Sequence, residues 1–243
     1  MPGREETKIV LDERQRERFR DLLSLPAVSD DSISRLLATR AVVLGVRGSG
    51  ASAVKSLKDA GVPQVAVVLE RGDDYETLAP DLLDLADGNF GVLIHSAPFD
   101  AHKAEELISS GTIVIDGLEN WQDKLLASDV CMQLRRPFIH AGGFGLRLQF
   151  YTMRPGLSAC LRCVFPRVGI DDVPPNSLKL SYFKPLLAMI GAIQAIDAVK
   201  LVAEIGATQG NELWKFDFLS GEIETVRGLD PSMDCPDCGR FIR

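Results

Sequence analysis

In this 243-residue sequence the stretch MPGREETKIVLDERQRERFR is dense in charge and holds no apolar h-region of the kind a signal peptide needs, and no later stretch offers the roughly 20 uncharged apolar residues of a membrane span. Basic charge is in short supply as well. Lys and Arg total 27 against 34 Asp and Glu, a net charge of −7 with a pI near 5.1. That balance disfavours a nucleic-acid backbone as a partner, while a local basic patch can still serve a small anion. Cysteine is scarce, with five residues. An odd, low count argues against a disulfide scaffold and for a reducing compartment. No internal repeat or low-complexity segment is present. These absences lead to the expectation of a cytoplasmic chain that engages neither membrane nor nucleic acid.

The chain is long enough to bury a sizeable core, and one large domain is expected, with N-terminal helices over 1–40 and the main body over 41–243. Phe19, Leu22 and Leu23, then Ile33, Leu36 and Leu37, recur at helical spacing on either side of Pro26, which predicts two helices before the sheet. The run RQRER is interleaved with Glu13 and Glu17 and reads as a solvated helix face, with Arg18 or Arg20 within reach of a ligand. From residue 41, the runs AVVLGV, QVAVVLE, FGVLIHS and TIVID alternate with helical segments ending at Ala60 and lying near 75–86, 101–109 and 119–134. Short apolar runs without alternation are strands covered on both faces, and the intervening helices are the crossovers that parallel strands require. The fold class is therefore α/β, a doubly wound, Rossmann-like, mostly parallel sheet. After it, PFIHAGGFGLRLQFYTM reads as a last buried strand, a glycine turn and an antiparallel continuation. PLLAMIGAIQAIDAVKLVAEIG is apolar around most of its circumference, as a helix in a core or a subunit interface is.

Two Cys-x-x-Cys pairs stand apart in sequence: Cys160 and Cys163 in CLRC, and Cys235 and Cys238 in CPDCG. Paired knuckles of this kind build a tetrahedral structural zinc site; unrelated buried or redox thiols are the alternative. Cys131 stands alone and reads as packing. In a doubly wound sheet, ligands sit beyond the carboxyl ends of the strands. There the first strand delivers LGVRGSGA, a turn with Gly45, Gly48 and Gly50 that opens a helix and can face phosphate, with Arg47 in place of the middle glycine. The second strand ends at Glu70, suited to a ribose hydroxyl, followed by Arg71. TIVID ends at Asp116, with Glu119 and Asn120 soon after. Asp116 and Glu119 are hard oxygen ligands suited to magnesium, or Glu119 or Asn120 caps the next helix. His95 and His140 close other strands and read as satisfied structural histidines.

Taken in order, the glycine turn, the acid after strand two, D-x-x-E-N, RRPFIHAGGFG, G-x-x-x-C-x-x-C-x-F, the helix IGAIQAIDAVKL and the terminal CPDCG resemble the ThiF/MoeB/HesA adenylyltransferase family, prokaryotic relatives of ubiquitin-activating enzymes. The resemblance covers roughly residues 15 to 240. It implies ATP- and Mg2+-dependent activation of a carboxylate as an acyl-adenylate, the substrate being the C-terminus of a small ubiquitin-like sulfur carrier, a peptide or a small molecule. It further implies a homodimer, a structural Zn2+, and these roles: Gly45, Gly48 and Gly50 at phosphate, Glu70 at ribose, Glu119 at magnesium with Asn120 beside it, and Lys124 where the family carries an arginine. The family's Asn-x-x-Arg-Gln run and downstream lysine are missing after Glu70, and residues 164–190 hold no cysteine for a covalent acyl step. Arg47 and Arg71, at the ends of adjacent strands, are the candidates to replace the lost phosphate donors. Two other readings stay open: a nucleotide-free pseudo-enzyme that binds a peptide or partner, and a nicotinamide dehydrogenase suggested by the turn and Glu70.

Overall fold

The computed structural model describes residues 10–166, 183–207 and 211–241. The N-terminal nine residues and much of the cysteine-free stretch 164–190 lie outside the described residues. Five strands, β1 (Arg40–Leu44), β2 (Gln64–Val68), β3 (Gly91–His95), β4 (Ile113–Asp116) and β5 (Phe138–Phe144), form a parallel array in the order β3-β2-β1-β4-β5. The antiparallel strands β6 (Arg147–Met153), β7 (Leu213–Asp217) and β8 (Glu222–Val226) extend it to eight. The expected parallel-then-antiparallel order is what forms.

The strands are apolar at successive positions because both faces of the sheet are covered. Ala41 and Val43 of β1 enter one core with Ile33, Leu36, Val54, Leu57 and Val199, whereas Val42 and Leu44 enter the other with Leu107, Ile108, Leu125 and Phe138. The first core lies under α3 (Asp30–Leu37), α4 (Gly50–Asp59) and α9 (Lys184–Val202). The second lies under α6 (Ala104–Ser109), α7 (Trp121–Gln133) and the short α8 (Leu161–Val164); α5 (Tyr75–Leu83) joins β2 to β3.

Before β1 the described residues form three helical segments rather than two: α1 (Glu13–Arg18), α2 (Arg20–Leu23) and α3. The first two are interrupted at Phe19, whose backbone leaves the helical region as its ring buries. That ring lies where a side chain on Gly61 would be, 2.3 Å from the position of a Cβ there. Helix α1 buries none of its residues, so its arginines are a solvated face; Arg20 pairs with Glu17 at 2.9 Å, and Arg18 lies 4.9 Å over the Phe19 ring.

Among the described residues, one helix has the length and mean apolarity of a membrane span, α9, with a mean hydropathy of 1.6, but it carries Asp197 and Lys200 and so is not an uncharged run. Half of that stretch is buried within the chain, where it packs on α4 and β4–β6 and buries Leu186, Leu187, Ile190, Ala195, Ala198 and Val199, while Ile196 stays exposed. Gly191 sets the approach of α9 to α4, because a Cβ there would sit 2.6 Å from Ala53 N and 2.7 Å from Ser52 Cβ. Backbone cannot yield as a flexible side chain can. Gly191→Ala is therefore expected to destabilise the fold by roughly 1–3 kcal/mol in urea denaturation; an unchanged midpoint would show that the two helices separate freely.

Candidate active site and metal centre

Strand order reverses at β1, so a crevice opens beyond the carboxyl ends of β1 and β4, where the glycine turn and the loop after Asp116 meet. The glycines interlock these two loops. Gly45 has φ +76°, and a Cβ on it would lie 2.8 Å from both Glu70 Oε2 and Gly117 O. A Cβ on Gly50 would be 1.9 Å from Gly45 O, one on Gly48 2.9 Å from Gly117 O, and one on Gly117 2.4 Å from Gly45 O. Backbone contact, beside any approach to a ligand, thus requires glycine here. Gly117 belongs to the set and was not singled out from the sequence. The N-cap of α4, Ser49, does not cap its helix; its hydroxyl donates to Gln194 Oε1 at 2.8 Å instead. The first N–H groups of α4 have no side-chain cap at the end of a ten-residue helix whose dipole favours an anion.

Beneath the crevice is a charged group that the sequence assigned differently. Asp116 is fully buried, and both its oxygens are taken: Lys124 Nζ donates to Oδ1 at 2.9 Å and Oδ2 at 2.8 Å, His140 Nδ1 lies 2.6 Å from Oδ2, and Leu118 N donates to Oδ1 at 3.0 Å. Burial alone would raise the Asp116 pKa, but Lys124 and then His140 hold it below the ordinary carboxylate range. Asp116 is therefore an internal counter-ion and not a magnesium ligand. Lys124, itself buried, gives its remaining bond to Ala141 O at 2.8 Å, so it braces Asp116 and does not reach into the crevice. Burial lowers the His140 pKa against the pull of Asp116, and its Nδ1 faces Asp116 while Nε2 lies 3.3 Å from Gln149 Nε2. His95 differs, for its Nε2 has no hydrogen-bond partner among the described residues. Gln194, missed in the sequence, donates from Nε2 to Asp116 O at 2.7 Å and to Ile139 O at 3.0 Å. A single amide in an otherwise apolar helical run was its only signal.

At the mouth of the crevice, Glu70 and Glu119 come together: Glu119 N donates to Glu70 Oε1 at 2.9 Å. Glu70 Oε2 is buried with no hydrogen-bond partner among the described residues. Burial pushes the Glu70 carboxyl up to about 7, against the bond from Glu119 N. Asn120 is the N-cap of α7, accepting from Asp123 N at 2.8 Å and donating to Asp123 Oδ2 at 2.7 Å, so its side chain is spent on the helix. The Arg47 guanidinium turns to the loop after β2, donating from Nη2 to Gly72 O at 2.7 Å and lying with Nε 2.5 Å from the buried Asp73 Oδ1. Asp73 Oδ2 in turn accepts from Glu70 N at 2.8 Å. Arg71, exposed on that loop, lines a cavity of about 620 Å3 together with Asp100, Asn120, Asp123, Asp129 and Arg162.

Away from the crevice, the four cysteines singled out from the sequence converge. Cys160 and Cys235 Sγ atoms are 3.6 Å apart, as are those of Cys163 and Cys238, and all four lie within 4.8 Å of one another. A tetrahedron with metal–sulfur bonds of about 2.3 Å has edges of about 3.8 Å, so the set fits a four-coordinate metal ion. Cys131 lies apart, fully buried, with its thiol pKa raised by that burial.

The sequence profile of the ThiF family matches residues 85–237. The chain is 27% identical to the SAMP-activating enzyme E1 of Haloferax volcanii over 247 residues, covering 94% of this chain and 91% of that protein. It is 25% identical to the sulfur carrier protein adenylyltransferase of Thermus thermophilus, covering 92% and 90%. Against the adenylyltransferase and sulfurtransferase MOCS3 of Caenorhabditis briggsae, 27% identical, it covers 83% of itself but only 55% of the relative, so it spans about half of that protein's length. In structure it resembles E. coli MccB crystallised with succinimide, with a TM-score of 0.72 at 16% identity over 96% of this chain and 75% of the other, a likeness of fold.

The geometry of Glu70 sets a pH dependence. Its folded pKa, about 7, lies above the ordinary 4.5, so the folded state holds its proton longer. This contribution to stability is complete below pH 4.5 and is lost as pH rises through about 7, an effect of up to about 3 kcal/mol. Urea denaturation of wild type and Glu70→Gln at pH 5 and pH 8 should show the wild type losing more stability than the variant between the two. Equal losses would mean that Glu70 is solvated.

Proposed function

Because this chain belongs to the ThiF family, we propose that it is an ATP-dependent adenylyltransferase that activates a carboxylate as its acyl-adenylate. The name of one relative, a sulfur carrier protein adenylyltransferase, supports the C-terminus of a ubiquitin-like sulfur carrier as substrate; a peptide or small-molecule carboxylate is the same chemical class. A carboxylate oxygen attacks the α-phosphorus, the bond to the bridging oxygen breaks, and pyrophosphate leaves with the electron pair. The chain's part is to position the reactants and offset charge.

The observation that carries this reading is Glu70 Oε2, a buried acceptor with no partner among the described residues, beside the glycine turn and joined through Oε1 to the Glu119 backbone. A ribose hydroxyl donating to it would satisfy both groups. The uncapped N-terminus of α4, reached through Gly45, Gly48 and Gly50, takes phosphate. Glu119 is the carboxylate left to hold Mg2+, which when bound would draw charge from the phosphates. In this reading Arg71, exposed on the loop after β2, approaches phosphate from there, and Arg47 supplies a donor by exchanging part of its hold on Asp73 for phosphate. Asn120 and Lys124 support the site from α7, the one as its cap and the other as the partner of Asp116. Transfer proceeds without a cysteine intermediate, since 164–190 holds none and Cys131 is buried. The four-cysteine centre holds structural Zn2+. The exposed apolar side chains Ile196, Phe218, Leu219 and Ile223 support a homodimer, and the cytoplasm is the compartment that five free thiols suit.

A nucleotide-free partner-binding module is the second reading, favoured by one observation: Arg47 already has partners in Gly72 and Asp73. ATP–pyrophosphate exchange across candidate carboxylates, paired with ATP titration, separates the two. Adenylation predicts Mg2+-dependent exchange with at least one carboxylate, and Arg47→Ala is expected to weaken ATP by on the order of 1.5–3 kcal/mol. A wild type that binds no ATP at millimolar nucleotide with Mg2+ would leave the partner-binding module as the account, and unchanged or tighter ATP binding in Arg47→Gly would remove Arg47 from the phosphate site.

A further inference from the structure

One arginine outside the crevice joins three parts of the chain that are distant in sequence. Arg162 lies inside the first knuckle, between Cys160 and Cys163. Its guanidinium grips Asp129 of α7 in a forked arrangement, with Nε 3.0 and 3.1 Å from Oδ1 and Oδ2 and Nη2 2.6 Å from Oδ2. The same Nε lies 3.6 Å from Oδ2 of Asp237, which stands inside the second knuckle between Cys235 and Cys238. A planar fork suits this task in a way that a point charge does not.

We propose that Arg162 is a positioning residue for the metal centre, holding the second knuckle against the first and against α7 so that four thiolates are assembled, and their charge offset, before the ion arrives. The proposal rests on the reading of the four cysteines as a zinc site. Four thiolates around a divalent cation carry a net charge of −2, and the Asp129 and Asp237 carboxylates, 18% and 19% exposed, add two more negative charges beside them. Without Arg162, these carboxylates face the thiolates with their shared cation gone. The first knuckle has a second tether, Leu161 N donating to Ser128 Oγ at 3.1 Å, so it stays on α7 when Arg162 is replaced. The second knuckle meets the rest of the fold through Cys238, buried in the core that α7 covers, and through Phe241, whose ring lies 5.2 Å from the Arg135 guanidinium; Arg162 adds the charged link from Asp237 to the first knuckle and α7. Partners just outside a metal's ligands typically govern affinity by 10–100-fold. An ordinary half-exposed ion pair contributes little to stability and nothing to metal retention.

The test is competition of the zinc-loaded full-length protein against a chromophoric chelator, recording release rate and affinity for wild type, Arg162→Ala, Arg162→Lys and Asp129→Asn. Arg147→Ala serves as control, since Arg147 pairs with Asp217 across β6 and β7 at 2.6 Å, apart from the cysteines. Arg162→Ala should bind zinc roughly 10–100-fold more weakly and release it correspondingly faster. Lysine should restore part of the loss, Asp129→Asn should show part of it, and Arg147→Ala should match wild type. Arg162→Ala should lower the thermal midpoint of the zinc-free form less than that of the zinc-loaded form. Wild-type zinc retention in Arg162→Ala, or an equal fall in midpoint with and without zinc, would overturn the assignment and leave a plain ion pair. A wild type that takes up no zinc would instead overturn the zinc reading on which it stands.

Discussion

A carboxylate buried at the carboxyl end of β4 holds the organisation of this protein together. Asp116 has no access to water, and an isolated charge in that position would cost several kcal/mol or give up its ionisation. Its partners come from separate elements: Lys124 from α7, His140 from β5, and the backbone N–H of Leu118 from its own loop. Its carbonyl accepts from Gln194 of α9, and Gln194 in turn accepts from Ser49 at the start of α4. Two helices on opposite faces of the sheet, together with the first turn of a third, are thereby referred to one residue.

The candidate site follows from that reference point. With Asp116 fixed, Gly117 stands directly behind it and meets Gly45 and Gly50 at distances that no side chain could occupy. The glycine turn is thus seated on the β4 loop, and the Glu119 N–H is brought to Glu70 Oε1. Ser49 is drawn down to Gln194, which leaves the α4 N-terminus without the side-chain cap that would compete with an anion. The acids divide accordingly. Asp116 is consumed by structure, Glu70 keeps one buried oxygen without a partner among the described residues, and Glu119 is tied to Glu70 by its backbone N–H.

The strands were readable because apolar runs covered on both faces leave a plain record in residue order. The same is true of the paired cysteines, whose spacing means little unless the two pairs meet, and they do. The roles of acids and bases around the crevice were much less readable. Asp116 and Glu119 are both carboxylates near one strand end, and nothing in their spacing tells which is turned inward. Lys124 was a candidate because it falls where the resembled family carries an arginine, yet its amine lies on Asp116. Asn120 was balanced between ligand and cap, and its bonds to Asp123 make it the cap. The break at Phe19 depends on a ring packing over Gly61, a contact across some forty residues that no local pattern records.

The central claim is that Asp116 and Lys124 act as one unit, and a double-mutant cycle tests it most directly. Asp116→Asn, Lys124→Met and the double variant would be compared with wild type by urea denaturation at neutral pH. Each substitution alone unbalances a buried pair, and Lys124→Met, which strands the carboxylate, should cost on the order of 3–5 kcal/mol. The double variant should then be less destabilised than the sum of the singles by more than about 1 kcal/mol. Additivity within about 0.5 kcal/mol would show that the two residues contribute independently, and that the crevice does not depend on their pairing.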